Sequence, residues 1–254
     1  MEVTFLQSPE GMGSAAFWGW PIAVDLFCGG LAGGLLAIEG TRRALGKPGS
    51  VRPPAIAFLL LCIAGLSLFF DVSRKIGLWA FYAAFVPSSP MSWGAWILLA
   101  LFPASFLFLG GILRKNERLI RAAGAASAIL GLGAAMYTGF LMSVLQARPA
   151  WHTPLLVPVF IGSAIATALA LLAVMEGGYG VAFRVALVSE TLFLVAYLMT
   201  HPAAPASLWY AAAFGGLLPA LLPRRIGIVL VLGGAVALRF LILAASQLPP
   251  LNLQ

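Results

Sequence analysis

Apolar runs about as long as a bilayer core is thick follow one another along this chain, and most of its charged residues fall between them. A helix needs about 20 apolar residues to cross the hydrocarbon core. Only 9% of the residues are charged while 61% are hydrophobic. A soluble domain carries about 25% charged residues, so most of this surface must face lipid. The alternation of a transmembrane barrel is absent. The predicted fold class is therefore an all-α integral membrane protein, a helical bundle forming one polytopic domain over 1–254.

Eight spans are predicted, at about 17–39, 54–70, 91–113, 122–145, 154–175, 181–199, 208–222 and 226–246. Residues 71–90 are too polar at their start and too aromatic in their middle for a bare turn, and read as an interfacial or re-entrant connection. The first 16 residues lack Lys and Arg, so they are not a signal peptide. Orientation follows from the cations, which concentrate in cytoplasmic loops. Arg42, Arg43, Lys47, Arg52, Arg114, Lys115, Arg118, Arg121, Arg224 and Arg225 lie in three loops on one side, with Arg184 near them. The other side carries only Arg74, Lys75 and Arg148. Both termini are thus expected on the outer side. The net charge of +7 reflects this topology, and no nucleic-acid partner is implied.

A charge within a span is costly and marks a candidate site. Asp25, Glu190 and Arg239 are the clear cases. At 1.5 Å per residue, Asp25 and Tyr137 lie ~12 Å below the outer ends of their helices, Glu190 ~13 Å and Arg239 ~10 Å. All four fall in one layer of the outer half. Glu190 and Arg239 are the natural partners for each other, as a structural ion pair or a proton path. Between Tyr137 and Pro154 a polar hinge gathers Gln146, Arg148, Trp151, His152 and Thr153. It reads as the rim of a site, against the plainer reading of an interfacial loop with an aromatic anchor.

The chain brings no evident redox centre. His152 and His201 both sit at outer loop ends, whereas a membrane haem is held by His pairs inside a bundle, so no haem is expected. Cys28 and Cys62 are lone helix residues and cannot form an iron–sulfur or metal ligand set. Neither a phosphate-binding loop nor a dinucleotide fingerprint is present.

Four stretches carry a resemblance to a known family. They are WGWPIAVDLFCGGLAGG in the first span, FFDVSRKIGLWAFYAAFVPSSPMSWGAW over 69–96, YTGFLMSVLQARPAWHTPLLVPVFIGSA in the middle, and GGAVALRFLILAASQ near the end. In this order and spacing they make the protein resemble the membrane subunit of polysulfide reductase and its relatives, the NrfD-like family. The resemblance implies a haem-free membrane anchor in the cytoplasmic membrane of a bacterium or archaeon. It implies electron exchange with menaquinone or ubiquinone, an iron–sulfur subunit docked at the outer face, and a molybdopterin catalytic subunit, as in anaerobic respiration. The family's quinone-contacting tyrosine falls on Tyr137. Asp25 stands where the family has a histidine, and a protonated carboxyl can still hydrogen-bond a quinone oxygen or deliver a proton. The last-helix arginine falls on Arg239, and Asp71 with Arg74 fits a polar pair in the connection between spans two and three. Trp93, Arg148, Trp151 and His152 then belong to the rim or to partner docking.

Two other functions compete. In an ion- or proton-translocating transporter, Asp25, Glu190 and Arg239 would be transport sites, but no inverted repeat or pair of broken helices is visible. A bare anchor has no use for Asp25 inside its first span.

Overall fold

A computed structural model describes residues 20–71, 85–87, 89–144, 151–177, 180–200, 206–222 and 224–245. Its elements are α1 (Trp20–Ala44), α2 (Arg52–Asp71), α3 (Pro90–Leu113), α4 (Glu117–Ser143), α5 (Leu156–Met175), α6 (Gly180–Thr200), α7 and α8 (Arg224–Ala245). Helix α7 is composite, with α-helical Ala206–Ala212, a π turn over Ala213–Leu217 and α-helical Leu218–Leu221. Seven of these helices are long and apolar enough to cross a membrane, all but α7. This is a multi-pass helical membrane protein.

The helix ends do not coincide with the ends of the apolar runs. Helix α1 runs to Ala44 and α4 starts at Glu117, each several residues beyond the apolar run that signalled it. The seventh predicted span is a helix of 16 residues, Ala206 to Leu221. At 1.5 Å per residue that is ~24 Å, short of a hydrocarbon core of about 30 Å. Most of the 71–90 connection lies outside the described residues, as do the side chains of Asp71 and Arg74.

Two groups of four helices emerge. Helices α1 to α4 pack together, as do α5 to α8. Helix α1 joins the groups by touching α5 and α8, and α4 also meets α5. Small residues decide where helices can cross, because without a hydrophobic force between spans the backbones must approach closely to gain dispersion contact. Gly33 and Gly40 of α1 face Gly131 and Gly124 of α4, and a Cβ on either α1 glycine would strike the opposing carbonyl oxygen. These two pairs fix α1 and α4 as antiparallel. Gly34 meets Ala164 of α5 in the same manner.

Helix ends are set by local chemistry. Past the end of α1, Lys47 N–H donates to Arg42 O at 2.9 Å and Gly46 N–H to Arg43 O at 3.0 Å. This is a Schellman closure, with Gly46 at φ 74° supplying the left-handed residue. Helix α3 closes in the same way, with Asn116 N–H on Gly111 O and Lys115 N–H on Ile112 O. There the left-handed position is taken by Lys115, at φ 52°. Asn116 then caps α4 by accepting from Leu119 N–H at 3.2 Å.

The two ends of the bundle differ in chemistry. Exposed Trp20, Trp93, Trp96, Trp209 and Tyr210 sit at the starts of α1, α3 and α7, at one end. Such rings suit a membrane interface. The other end carries most of the described arginines and lysines, and here Glu39 is fully buried. By sequence, Glu39 and Glu176 belong at a rim. In the structure Glu39 bonds Arg42 at 2.7 Å and Arg43 at 3.0 Å, while Arg42 also reaches Glu176 at 2.9 Å. Glu176 accepts from Ser50 N–H at 3.2 Å. This cluster ties the end of α1 and its loop to the end of α5.

Candidate functional site

Asp25 and Tyr137 occupy the aromatic end of the first helix group. The glycine pairs set their relative height. Residue 33 lies opposite 131 and residue 40 opposite 124. The same antiparallel register, carried on, brings residue 25 level with 139. Asp25 and Tyr137 thus lie within about one turn of each other in depth. Both are partly buried. Asp25 lies along the face of α1 that meets α2, since its Oδ1 is 4.0 Å from where a Cβ on Gly29 would stand, beside Ala64 at 3.9 Å. Nearby, Ser67 of α2 donates to Pro21 O of α1 at 2.7 Å.

Tyr137 leans the other way, onto α3. Its ring lies so close over Gly94 that a Cβ there would fall within the ring, 1.9 Å from Cζ. Gly94 is a slot that sets the angle of the phenol. Sequence reasoning read the glycine only as part of MSWGAW and missed this. The signal was a glycine one turn into a helix with aromatics on both sides.

Arg239 and Glu190 lie in the second helix group, and the structure joins them indirectly. Arg239 is 1% exposed and Glu190 7%. The Arg239 guanidinium donates from Nη1 to Ser163 Oγ at 2.9 Å and to Ala235 O at 3.0 Å, and from Nε to Leu26 O of α1 at 3.0 Å. Ser163 also hydrogen-bonds the Glu190 carboxyl. The rings of Phe27 and Phe160 lie 5.6 Å from the guanidinium carbon. Gly30 leaves the space that Nη2 occupies, with a Cβ there lying only 2.9 Å away. The buried arginine thereby pins α8 to α1 and α5. In the sequence, Ser163 within IGSA carries no signal of this, and Gly30, with Gly29, Gly33 and Gly34, reads as a small-residue face for close helix contact.

The hinge residues separate. Trp151 is 2% exposed, belongs to a buried cluster that includes Leu26, Met142 and Leu238, and donates from Nε1 to Ile242 O at 2.8 Å. It therefore sits in the core and not on an exposed lip, since an indole with its one donor satisfied can be buried. His152 is exposed, with Nδ1 3.0 Å from Ser143 O. Trp93 is half exposed, donates to Pro87 O at 2.9 Å, and meets Phe85 edge-on at 4.9 Å. Arg148 lies outside the described residues.

The arrangement offers an acid and a phenol at one depth, set in apolar helices, with a buried cation one helix face away. A sequence profile described as "Polysulphide reductase, NrfD" matches residues 9–250. The C component of polysulfide reductase from Wolinella succinogenes is 28% identical, in an alignment covering 91% of this chain and 94% of that protein. The C component of tetrathionate reductase from Salmonella typhimurium is 35% identical over 105 residues, 39% of this chain and 30% of that protein. The match over nearly its whole length shows that this chain belongs to the polysulphide reductase NrfD family.

Proposed function

We propose that this chain is the quinone-reactive membrane subunit of a reductase complex. It passes electrons between the quinone pool and an iron–sulfur subunit, which serves a molybdopterin catalytic subunit. The observation that carries this reading is the common depth of Asp25 and Tyr137 in a protein that belongs to this family. Both relatives are named as single components of reductases, which supports the place in a complex.

A quinone head group is flat, apolar on its faces and bears two carbonyl oxygens, and the residues present fit it. Asp25 and Tyr137 are the groups that would hold the oxygens. The Gly94 slot fixes the phenol in direction, and the surrounding helix faces are apolar. Bound there, the quinone supplies reversible two-electron, two-proton chemistry. Protonated Asp25 donates to one oxygen or, as carboxylate, takes a proton back. Tyr137 donates a hydrogen bond that polarises the oxygen it faces. In this reading α7 completes an eighth crossing, the aromatic end faces outward with both termini, and the basic loops face the cytoplasm of a bacterial or archaeal inner membrane. His152 and Trp93 then lie on the face where the iron–sulfur subunit docks.

The test is turnover of the purified complex with a soluble quinol or quinone analogue. Asp25→Asn is expected to lower it about 10²-fold, the scale of a lost general acid. Tyr137→Phe, which keeps the ring and loses one hydrogen bond, is expected to cost about tenfold. Normal turnover in both variants, with the complex intact, would sink the assignment.

A further inference from the structure

At the basic end of the first helix group the buried acids already have their cations. Glu39 and Glu176 are engaged by Arg42 and Arg43. The same two arginines donate to Pro48 O, Gly49 O and Ser50 O, which holds the loop between α1 and α2 against the end of α1. Lys47, Arg52, Arg114, Lys115, Arg118 and Arg121 are exposed around this loop and the α3–α4 turn. Among the described residues, the exposed acid beside them is Glu117, and no ion pair engages any of the six cations.

Helix packing draws three of these cations together. The contact of Gly40 with Gly124 sets the end of α1 against the first turns of α4. Arg121 then lies along the α1–α2 loop, with Nη2 3.4 Å from where a Cβ on Gly46 would stand. Lys47 is the next residue of that loop. Arg118 precedes Arg121 by one turn and shares its side of α4. The bias of cations toward one side of a membrane accounts for charges in loops. It does not account for arginines within a helix that stand unpaired at the head of an apolar stripe. Below Arg121 the same face of α4 continues through Ala125, Ile129, Leu132 and Met136, at helical spacing. Ile129, Leu132 and Met136 are exposed. Leu132 lies ~16 Å along the helix from Arg121, and one leaflet of a hydrocarbon core about 30 Å thick is half that thickness. A cationic head above an apolar stripe one leaflet long complements a phospholipid of negative charge. A soluble anion leaves the stripe bare, and a soluble protein cannot follow it into the bilayer.

We propose that an anionic phospholipid binds here, its phosphate held by Lys47, Arg118 and Arg121 and its acyl chains lying along Ile129 and Leu132. The arginine forks match phosphate oxygens in pairs, and basic pockets between spans are suited to lipid head groups. The bound lipid bridges the α1–α2 loop to α4. This site stands apart from the quinone reading and does not depend on it.

The test uses the purified complex, delipidated in mild detergent and titrated with phosphatidylglycerol or phosphatidylcholine, with bound lipid counted by native mass spectrometry. Wild type is expected to prefer phosphatidylglycerol. Each cation near a head group contributes about fivefold in affinity, so a triple variant carrying Lys47→Gln, Arg118→Gln and Arg121→Gln should lose roughly a hundredfold of that preference. Arg118→Gln alone should lose about fivefold, and serves where the triple variant fails to assemble. Arg184 and Arg225 are exposed at the same end of the second helix group, and Arg184→Gln with Arg225→Gln should leave the preference unchanged. Equal binding of the two lipids by wild type overturns the proposal. So does an equal loss in the Arg184 and Arg225 variant, which would mark diffuse surface charge. Displacement of the lipid by inorganic phosphate at the same concentration and fixed ionic strength also overturns it, since the acyl chains would then contribute nothing.

Discussion

Among single residues, the informative positions are glycines that exist for someone else's side chain. Gly94 gives its volume to Tyr137 and Gly30 to Arg239. A methyl group at either place must displace a ring or a guanidinium. Gly94→Ala is therefore expected to lower quinol turnover about as much as Tyr137→Phe, roughly tenfold, while the complex still purifies intact. The comparison of the two variants, alone and combined, is the check. If Gly94 acts by aiming the phenol, the double variant is no worse than the worse single one. Trp151 teaches the complementary lesson. Its indole looked like a rim residue, yet it is held in the core by a hydrogen bond to Ile242 O.

Among the helices, two end by the same Schellman closure but with different residues at the left-handed position. Gly46 adopts φ 74° at no steric cost, whereas Lys115 at φ 52° carries the steric penalty of its Cβ. Lys115→Gly is expected to stabilise the turn between α3 and α4 by about 0.5–1 kcal/mol. A small rise in the thermal midpoint in detergent, with turnover unchanged, is the expected reading. A fall would mean that the lysine side chain contributes more than its backbone costs. The break in α7 is likewise a property of paired helices. Gly215 lies within the π turn and packs on Gly234 of α8, where a Cβ on Gly234 would meet the Gly215 backbone, so the irregular turn lies at a close crossing of the two helices.

Across the bundle, α1 is the shared member of both helix groups. It contacts α4 through Gly33 and Gly40, α5 through Gly34 and α8 through the Arg239 slot at Gly30. The two ends differ in chemistry, with aromatic rings at one and an arginine-rich surface at the other. In intact cells an impermeant thiol reagent is expected to label His152→Cys and to spare Asn116→Cys, judged against the parent protein with its own Cys28 and Cys62. The reverse pattern would invert the topology and move the docking face to the cytoplasm.

The class was legible in the sequence. Apolar run length and cation placement are one-dimensional quantities that a bilayer reads directly, and Asp25, Glu190 and Arg239 stand out because hydrocarbon punishes charge. Asp25 and Tyr137 could also be placed at similar depth, since rise per residue is fixed. Helix ends were less legible, because α1 and α4 continue into polar turns that hydropathy does not register. Which partner each side chain meets emerged only from the packed bundle. The guanidinium of Arg239 reaches Glu190 by way of Ser163, and a stretch of glycines in α1 divides its contacts among its neighbours. Those outcomes depend on the rotation of each helix about its own axis and on contacts between residues far apart along the chain. Small-residue packing sets both, and hydropathy along the sequence carries no record of it.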